Sequence, residues 1–309
     1  MNLETDFTTQ IINLPDDYEG KVIATLIAAN TNTDTRKSVL YIHGYVDYFF
    51  QTHMAAKFLD QGYDFYALDL RKYGRSLLPH QHPNYCRSIT EYFPEISIAL
   101  KQIYEASNYK ITLVGHSTGG LITSMYMNKG EQKGLVDSLI LNSPFFEFNV
   151  PKLKRIVLPI VATFSVAVNK YSRLKGALSR VYSQSIYKGN FGEWDFNLAW
   201  KPIEGFPTYF AWIKAVSNAQ KFIQTESNIT VPVLVMHSSK SFVTKKFTPE
   251  AITADLVLNI EDIITIGEKL GPKVTLVSIK DGMHDLVLSK KDAREATFNN
   301  MFSWLNNLS

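Results

Sequence analysis

The sequence predicts an α/β protein built on a mostly parallel sheet with helices on both faces. Three observations carry that expectation. Six short β-rich runs recur along the chain, helical stretches alternate with them, and one long interval, residues 149–230, breaks the rhythm. Strands that alternate with helices form parallel sheets covered on both faces, and such sheets gather functional groups at the carboxyl ends of their strands.

In chain order the strands are expected at SVLYIHG (38–44), YDFYALDL (63–70), KITLVGHS (110–117), VDSLILNS (136–143), VPVLVMHS (231–238) and KVTLVSI (273–279). All six read as buried strands. Helices fall between them, at about 51–61, 90–107, 118–129, 255–270 and 290–307. Residues 149–230 hold no run of comparable quality, yet they hold 13 aromatic residues and three of the four tryptophans, Trp194, Trp200 and Trp212. We read this interval as a largely helical cap inserted after the fourth of these strands, into a core made of residues 1–148 and 231–309. No internal repeat and no Gly/Ser- or Pro-rich linker separates independent domains.

With 309 residues, 45% of them hydrophobic, the chain can bury a full core. A single cysteine, Cys86, rules out an internal disulfide, and the N-terminus MNLETDFTTQ lacks a basic region followed by an apolar run. Cytoplasm is therefore the expected compartment. The longest apolar run, IVLPIVATFSVAV at 156–168, is interrupted by Pro159 and falls short of the roughly 20 residues a spanning helix needs.

Net charge is +3, but residues 149–230 carry 11 Lys or Arg against 4 Asp or Glu. Between Asn149 and Gly192 stand eight basic residues (Lys152, Lys154, Arg155, Lys170, Arg173, Lys175, Arg180, Lys188) and no acidic one. A basic rim around an apolar lid suits adsorption to an anionic lipid surface or a substrate bearing phosphate. A solvated charged face is the plainer alternative. Nucleic-acid binding is not expected, because no recognition module accompanies the charge. No His/Asp/Glu set shows metal-ligand spacing, and neither GxGxxG nor GxxxxGK[ST] is present.

The chemistry concentrates at Gly115-His116-Ser117-Thr118-Gly119, which fits G-x-S-x-G, follows an expected strand and opens an expected helix. Such a turn forces the serine into a strained backbone, and glycine on either side removes Cβ atoms that would collide with neighbouring strands. The hydroxyl then stands clear of the sheet. A serine needs a base to take its proton. Of seven histidines, His43 and His116 read as locked into their own turns, and His53, His80, His82 and His237 lack an acid in the expected order. His284, in DGMHDLVLS after the last strand, satisfies the order Ser…Asp…His. Backbone N–H donors for a developing oxyanion are expected from Thr118, directly after the serine, and from Tyr45 in HGYVDY.

Together HGYVDY, DLRKYGRS, GHSTGG and GMHDLVLS resemble the α/β-hydrolase superfamily, and within it the monoacylglycerol lipase and lysophospholipase-like group also labelled serine aminopeptidase S33. The likeness covers residues 20–148 and 231–309, and the cap in position only. It implies an eight-stranded, mostly parallel sheet, Ser-His-Asp chemistry, no cofactor and a cap that shapes an acyl pocket. Two departures stand out. The family usually reads H-G-x-x-D after the strand that carries the acid, but MHSSKS puts Ser241 there. Asp255, Glu261 and Asp262 are then the candidate acids. DLVLNIEDI is similar to the family's D-x-V-x-x-x-E-D-x segment, as though SFVTKKFTPEAITA had been inserted before it, which favours Asp255; Glu261 and Asp262 fall inside a helix and read as a solvated face. Second, DLRKYGRS has Lys72 where glycine is common, so that loop's backbone is expected to differ locally.

The resulting expectation is a serine carboxylester hydrolase acting on a small-molecule or lipid-like ester through Ser117, His284 and Asp255. Aminopeptidase, thioesterase and acyltransferase variants share those residues. A non-catalytic ligand-binding protein of the same fold is the alternative from another class. Ser117 in the elbow excludes the epoxide hydrolase and dehalogenase chemistry that resembles the family but uses aspartate there.

Overall fold

The structure is a computed structural model, which describes residues 1–31, 36–106, 110–174 and 179–308. Lys175, one of the eight basic residues above, and position 107, the last of the second expected helix, lie outside the described residues.

Among the described residues ten strands are present: β1 (Thr8–Asp17), β2 (Gly20–Ala29), β3 (Lys37–Ile42), β4 (Asp64–Asp69), β5 (Lys110–His116), β6 (Val136–Asn142), β7 (Arg173–Leu174), β8 (Thr208–Tyr209), β9 (Val233–Ser238) and β10 (Val274–Ile279). The helices are α1 (Thr52–Asp60), α2 (Phe93–Glu105), α3 (Thr118–Lys129), α4 (Lys152–Val168), α5 (Arg180–Ile186), α6 (Phe210–Glu226), α7 (Ile260–Gly267) and α8 (Lys291–Asn306). Eight strands form one sheet in the order β1-β2-β4-β3-β5-β6-β9-β10. From β4 to β10 every pairing is parallel, whereas β2 runs antiparallel to both β1 and β4.

Side chains along β3 divide between two cores, because successive residues of a strand point to opposite faces. Leu40 and Ile42 pack with α2, α3 and α6 on one face, and Val39 and Tyr41 pack with α1 and α8 on the other. On the second face Phe58 of α1 meets Phe302 of α8 edge to face, ring centroids 5.1 Å apart. Each ring so buried contributes about 1.5–3 kcal/mol. With both faces covered, the inner parallel strands need apolar residues at nearly every position, which is why their runs are continuous; β10, expected to be buried, instead lies at the other edge of the sheet and is buried only at Ile279.

The hairpin of β1 and β2 was not among the expected strands. β1 is the edge of the sheet, most of its side chains are exposed, and the register shifts between Leu14 and Asp17, where Pro15 has no N–H for the ladder. It therefore lacks the apolar signature of the interior strands. Its turn docks on the loop after β4. Lys72 sits there at φ +64°, in the region that favours glycine, and its fully buried ammonium lies 2.7 Å from Asp17 Oδ2 and 2.6 Å from Glu19 Oε2. The family's glycine is thus replaced by a lysine held by two carboxylates from the hairpin.

After β6 the chain enters α4, α5 and α6, and β7 and β8 pair only with each other. α6 buries its face against the core, but α4 does the opposite. Leu153, Ile156, Ile160, Phe164 and Val168, spaced as one stripe, are exposed by 72%, 67%, 53%, 69% and 90%. Among the described residues, no helix is long and apolar enough to cross a membrane.

Candidate active site

β5 lies between β3 and β6, with Gly115 beside Ile42 on one side and Leu141 on the other, so its carboxyl end emerges near the middle of the sheet. Ser117 follows at once. Its φ of +52° and ψ of −116° lie outside the favoured regions for an L-residue, a strain of roughly 1–3 kcal/mol. Three backbone bonds hold it: Ser117 N–H donates to Asn142 O at 3.0 Å, and Ser117 O accepts from Phe145 N–H at 3.0 Å and from Leu121 N–H at 3.2 Å. A Cβ on Gly119 would run into the carbonyls of Ile42 and His43, which explains that glycine as a relief for the neighbouring strand. A Cβ on Gly115 would meet Gly119 O at 2.6 Å, so this glycine makes room for the following helix instead.

His284, in the loop after β10, reaches back to this turn. Its Nε2 lies 2.9 Å from Ser117 Oγ and its Nδ1 2.9 Å from Asp255 Oδ2; all three side chains are buried. With a proton on Nδ1 donated to the carboxylate, Nε2 is free to accept from the serine hydroxyl. Asp255 Oδ1 is fixed by the N–H groups of Val257 and Leu258, each at 2.8 Å. Such a chain can draw a proton from a hydroxyl and stabilise the charge left on the imidazole.

Asp255 arrives by an excursion. After β9 the chain leaves at Ser241 and returns at Asp255, where the two positions form a parallel bridge. Ser241 Oγ donates to Leu258 O and accepts from Ile260 N–H, tying the exit to the start of α7. Of the other candidate acids, Glu261 is exposed in the first turn of α7, and Asp262, expected on a solvated face, instead holds Arg155 of α4 through both oxygens at 2.9 and 2.7 Å. Neither is bonded to His284.

Tyr45 and Thr118 flank the serine from the β3 loop and the first turn of α3. Among the described residues, neither backbone N–H donates a hydrogen bond to another group. The Tyr45 ring lies on Trp212 of α6 with centroids 4.1 Å apart. Val46, next in the chain, has φ +49°.

Several buried groups at this site escaped the sequence reading. Asp47, inside the quoted HGYVDY, bonds Lys201 Nζ at 2.7 Å, and its Oδ2 is 3.6 Å from His116 Nδ1. Burial opposes ionisation of Asp47, but Lys201 and His116 outweigh it and hold the carboxyl well below its usual range. His43 is locked as expected, its Nδ1 on Gly44 O and its Nε2 accepting from Leu70 N–H, and burial keeps its pKa low. His116 is not locked. Neither ring nitrogen has a hydrogen-bond partner among the described residues, and the ring stands between Asp47 and Asp285, 3.9 Å from the latter. Burial works against its charge, yet the two carboxylates raise its pKa. Asp47, His116 and Asp285 are near enough to share a metal ion, but Lys201 already occupies Asp47, and Asn142 and Gln51 donate to Asp285. That donor set does not fit a cation. The only signal for this network in the sequence was its adjacency to motif residues 45, 117 and 284.

Residues 33–289 match the family described as "Serine aminopeptidase, S33". The chain belongs to that family. No curated protein matches the sequence. In fold the S33 chain is similar to a soluble variant of monoglyceride lipase from Saccharomyces cerevisiae solved with a substrate analogue, with TM-score 0.72 and 16% identity over 100% of this chain and 97% of that one. It is also similar to the monoacylglycerol lipase of Paleococcus ferrophilus (TM-score 0.66, 17% identity, 92% and 99% coverage). A carboxyl esterase from Bacillus coagulans in complex with glycerol gives TM-score 0.70 at 14% identity, covering 97% and 99%. At these identities the likeness is one of fold, and the fold is that of the α/β-hydrolases.

In this S33 protein Ser117 borders two pockets of different character. One, of about 230 Å³, is walled by apolar groups including Phe145, Phe148, Leu158, Trp212 and Leu258. The other, of about 300 Å³, is the more polar of the two without being polar throughout: Asp47, His116, Tyr182, Ser183, Lys201 and Thr244 share its wall with Val46, Ile203, Val243, Leu256 and Val257. Tyr182 of α5 also sets its ring edge-on to His284, centroids 5.4 Å apart.

Proposed function

We propose that the protein is a serine carboxylester hydrolase for lipid-like esters, working through an acyl-enzyme. The observation that carries this reading is the buried Ser117–His284–Asp255 chain, with both contacts at 2.9 Å, beside two backbone amides that donate to no group among the described residues. His284 Nε2 takes the Ser117 proton as Oγ attacks the ester carbonyl, and Asp255 holds the imidazolium. The N–H groups of Tyr45 and Thr118 receive the oxyanion. As the carbonyl re-forms, the ester C–O bond breaks and His284 returns the proton to the leaving alcohol. Water, deprotonated by the same nitrogen, then releases the carboxylic acid and restores the serine.

The two pockets favour an ester of an apolar acyl chain and a polar alcohol, of the monoacylglycerol or lysophospholipid kind. In this reading residues 149–230 act as a cap, since α6 contributes Trp212 to the apolar wall and α5 contributes Tyr182 to the more polar one. The outward apolar stripe of α4, flanked by exposed Lys152, Lys154 and Lys170, is the cap's contact with an anionic lipid surface. A fluorophosphonate probe tests the core of the proposal. Wild type is expected to be labelled and to hydrolyse p-nitrophenyl esters, monoacylglycerols and lysophospholipids to differing extents; Ser117→Ala is expected to do neither. Labelling that survives the substitution would refute it.

A further inference from the structure

We propose that Lys201, in the segment between α5 and β8, is a positioning residue for the oxyanion site: it clamps the strained turn at Val46 that presents the Tyr45 amide. This rests on the reading that Tyr45 N–H receives the oxyanion.

Val46 is β-branched and sits at φ +49°, a backbone state that such residues rarely take. Conformations of this kind persist only where the surroundings over-determine them. Here the surroundings come from the cap. Lys201 Nζ lies 3.4 Å from Val46 O and 2.7 Å from Asp47 Oδ1, so one ammonium grips two consecutive residues. One turn upstream, Asn197 N–H donates to Tyr48 Oη at 2.7 Å, a second grip on the same loop. Lys201 is buried, with its ammonium 5.7 Å from the ring centroids of Phe50 and Phe196. A buried lysine and a buried aspartate hold each other firmly, since separating them strands two charges. The turn's geometry is therefore set by how the cap is seated. Small displacements of a donor carry large rate penalties.

A double-mutant cycle on the full-length protein tests this, with p-nitrophenyl butyrate as substrate. Loss of one oxyanion donor costs about 10² to 10³ in kcat, so a misplaced donor in Lys201→Met should cost about 10- to 100-fold, with KM changed little. In a Val46→Gly background the same substitution should cost less than about 3-fold, because glycine takes a positive φ without a clamp. A lysine that merely stabilised the cap would cost the same in both backgrounds, and that result overturns the proposal, as does a Lys201→Met enzyme with wild-type kcat. Lys201→Gln, which keeps a donor for Val46 O, is read in the same cycle should Lys201→Met not fold. Wild-type and Ser117→Ala rates taken alongside separate the two claims: equal rates for that pair overturn the hydrolase reading itself, whereas a normal difference with no coupling between positions 46 and 201 overturns only the clamp.

Discussion

Ser241 and Asp255 are partners in a parallel bridge, with Phe242 N–H donating to Asp255 O at 2.8 Å and Asp255 N–H to Lys240 O at 2.9 Å. The residues between them leave and re-enter the fold at one place. Asp255→Asn should therefore lower kcat by about 10⁴, as loss of such a carboxylate does. Adding Ser241→Asp to that variant should recover at least about tenfold, because it returns a carboxylate to the neighbouring position. Steady-state rates on one ester check this, and an unrecovered double variant would show that position 241 cannot reach His284.

Lys72→Gly sets two effects against each other. Glycine relieves a left-handed strain of about 1–2 kcal/mol, but it leaves Asp17 and Glu19 without their buried cation, a loss of about 3–5 kcal/mol. Loss of the cation should outweigh the relief. A denaturant midpoint below that of wild type is expected; a higher one would mean that strain dominates.

Phe164→Glu and Ile156→Glu alter side chains of α4 that point outward, so thermal stability should change little. Binding to vesicles containing anionic lipid should fall by about tenfold or more, the equivalent of one lost Phe burial of about 1.5–3 kcal/mol. Co-sedimentation with anionic and with neutral vesicles measures this. Equal binding by wild type and variants would remove α4 from the contact.

His116 has a pKa raised above its ordinary 6.5 by Asp285 and Asp47. A group of this kind stabilises the fold fully below its unfolded pKa and loses that contribution as pH rises through the folded value. The gap in melting temperature between wild type and His116→Asn should therefore be widest in mild acid and narrow above neutrality. A gap that is constant with pH would show that the charge on His116 contributes nothing to this difference.

The parallel interior strands were legible because burial on both faces demands uninterrupted apolar runs, as in VPVLVMHS, although β2 carries a comparable buried run from Val22 to Ile27 and was passed over. The edge strand β1 was not, since it buries only Ile12 and Leu14. That Ser117 and His284 would meet could be read from the elbow and the chain order. That Asp255 would reach His284 needed more, because an excursion whose ends pair hides the carboxylate's position from any fixed spacing. Lys201 could not be read at all. It looks like one more cation in a basic segment, and its partner Asp47 lies in a distant motif.

Ser117 borders an apolar chamber and a more polar one, and under the proposed acyl-enzyme chemistry the two empty in turn. The alcohol drains away first, while the fatty chain stays tethered and dry. Any small polyol that refills the vacated side then competes with water for the same carbonyl. Whether the product is a free acid or a new ester becomes a matter of what is dissolved nearby.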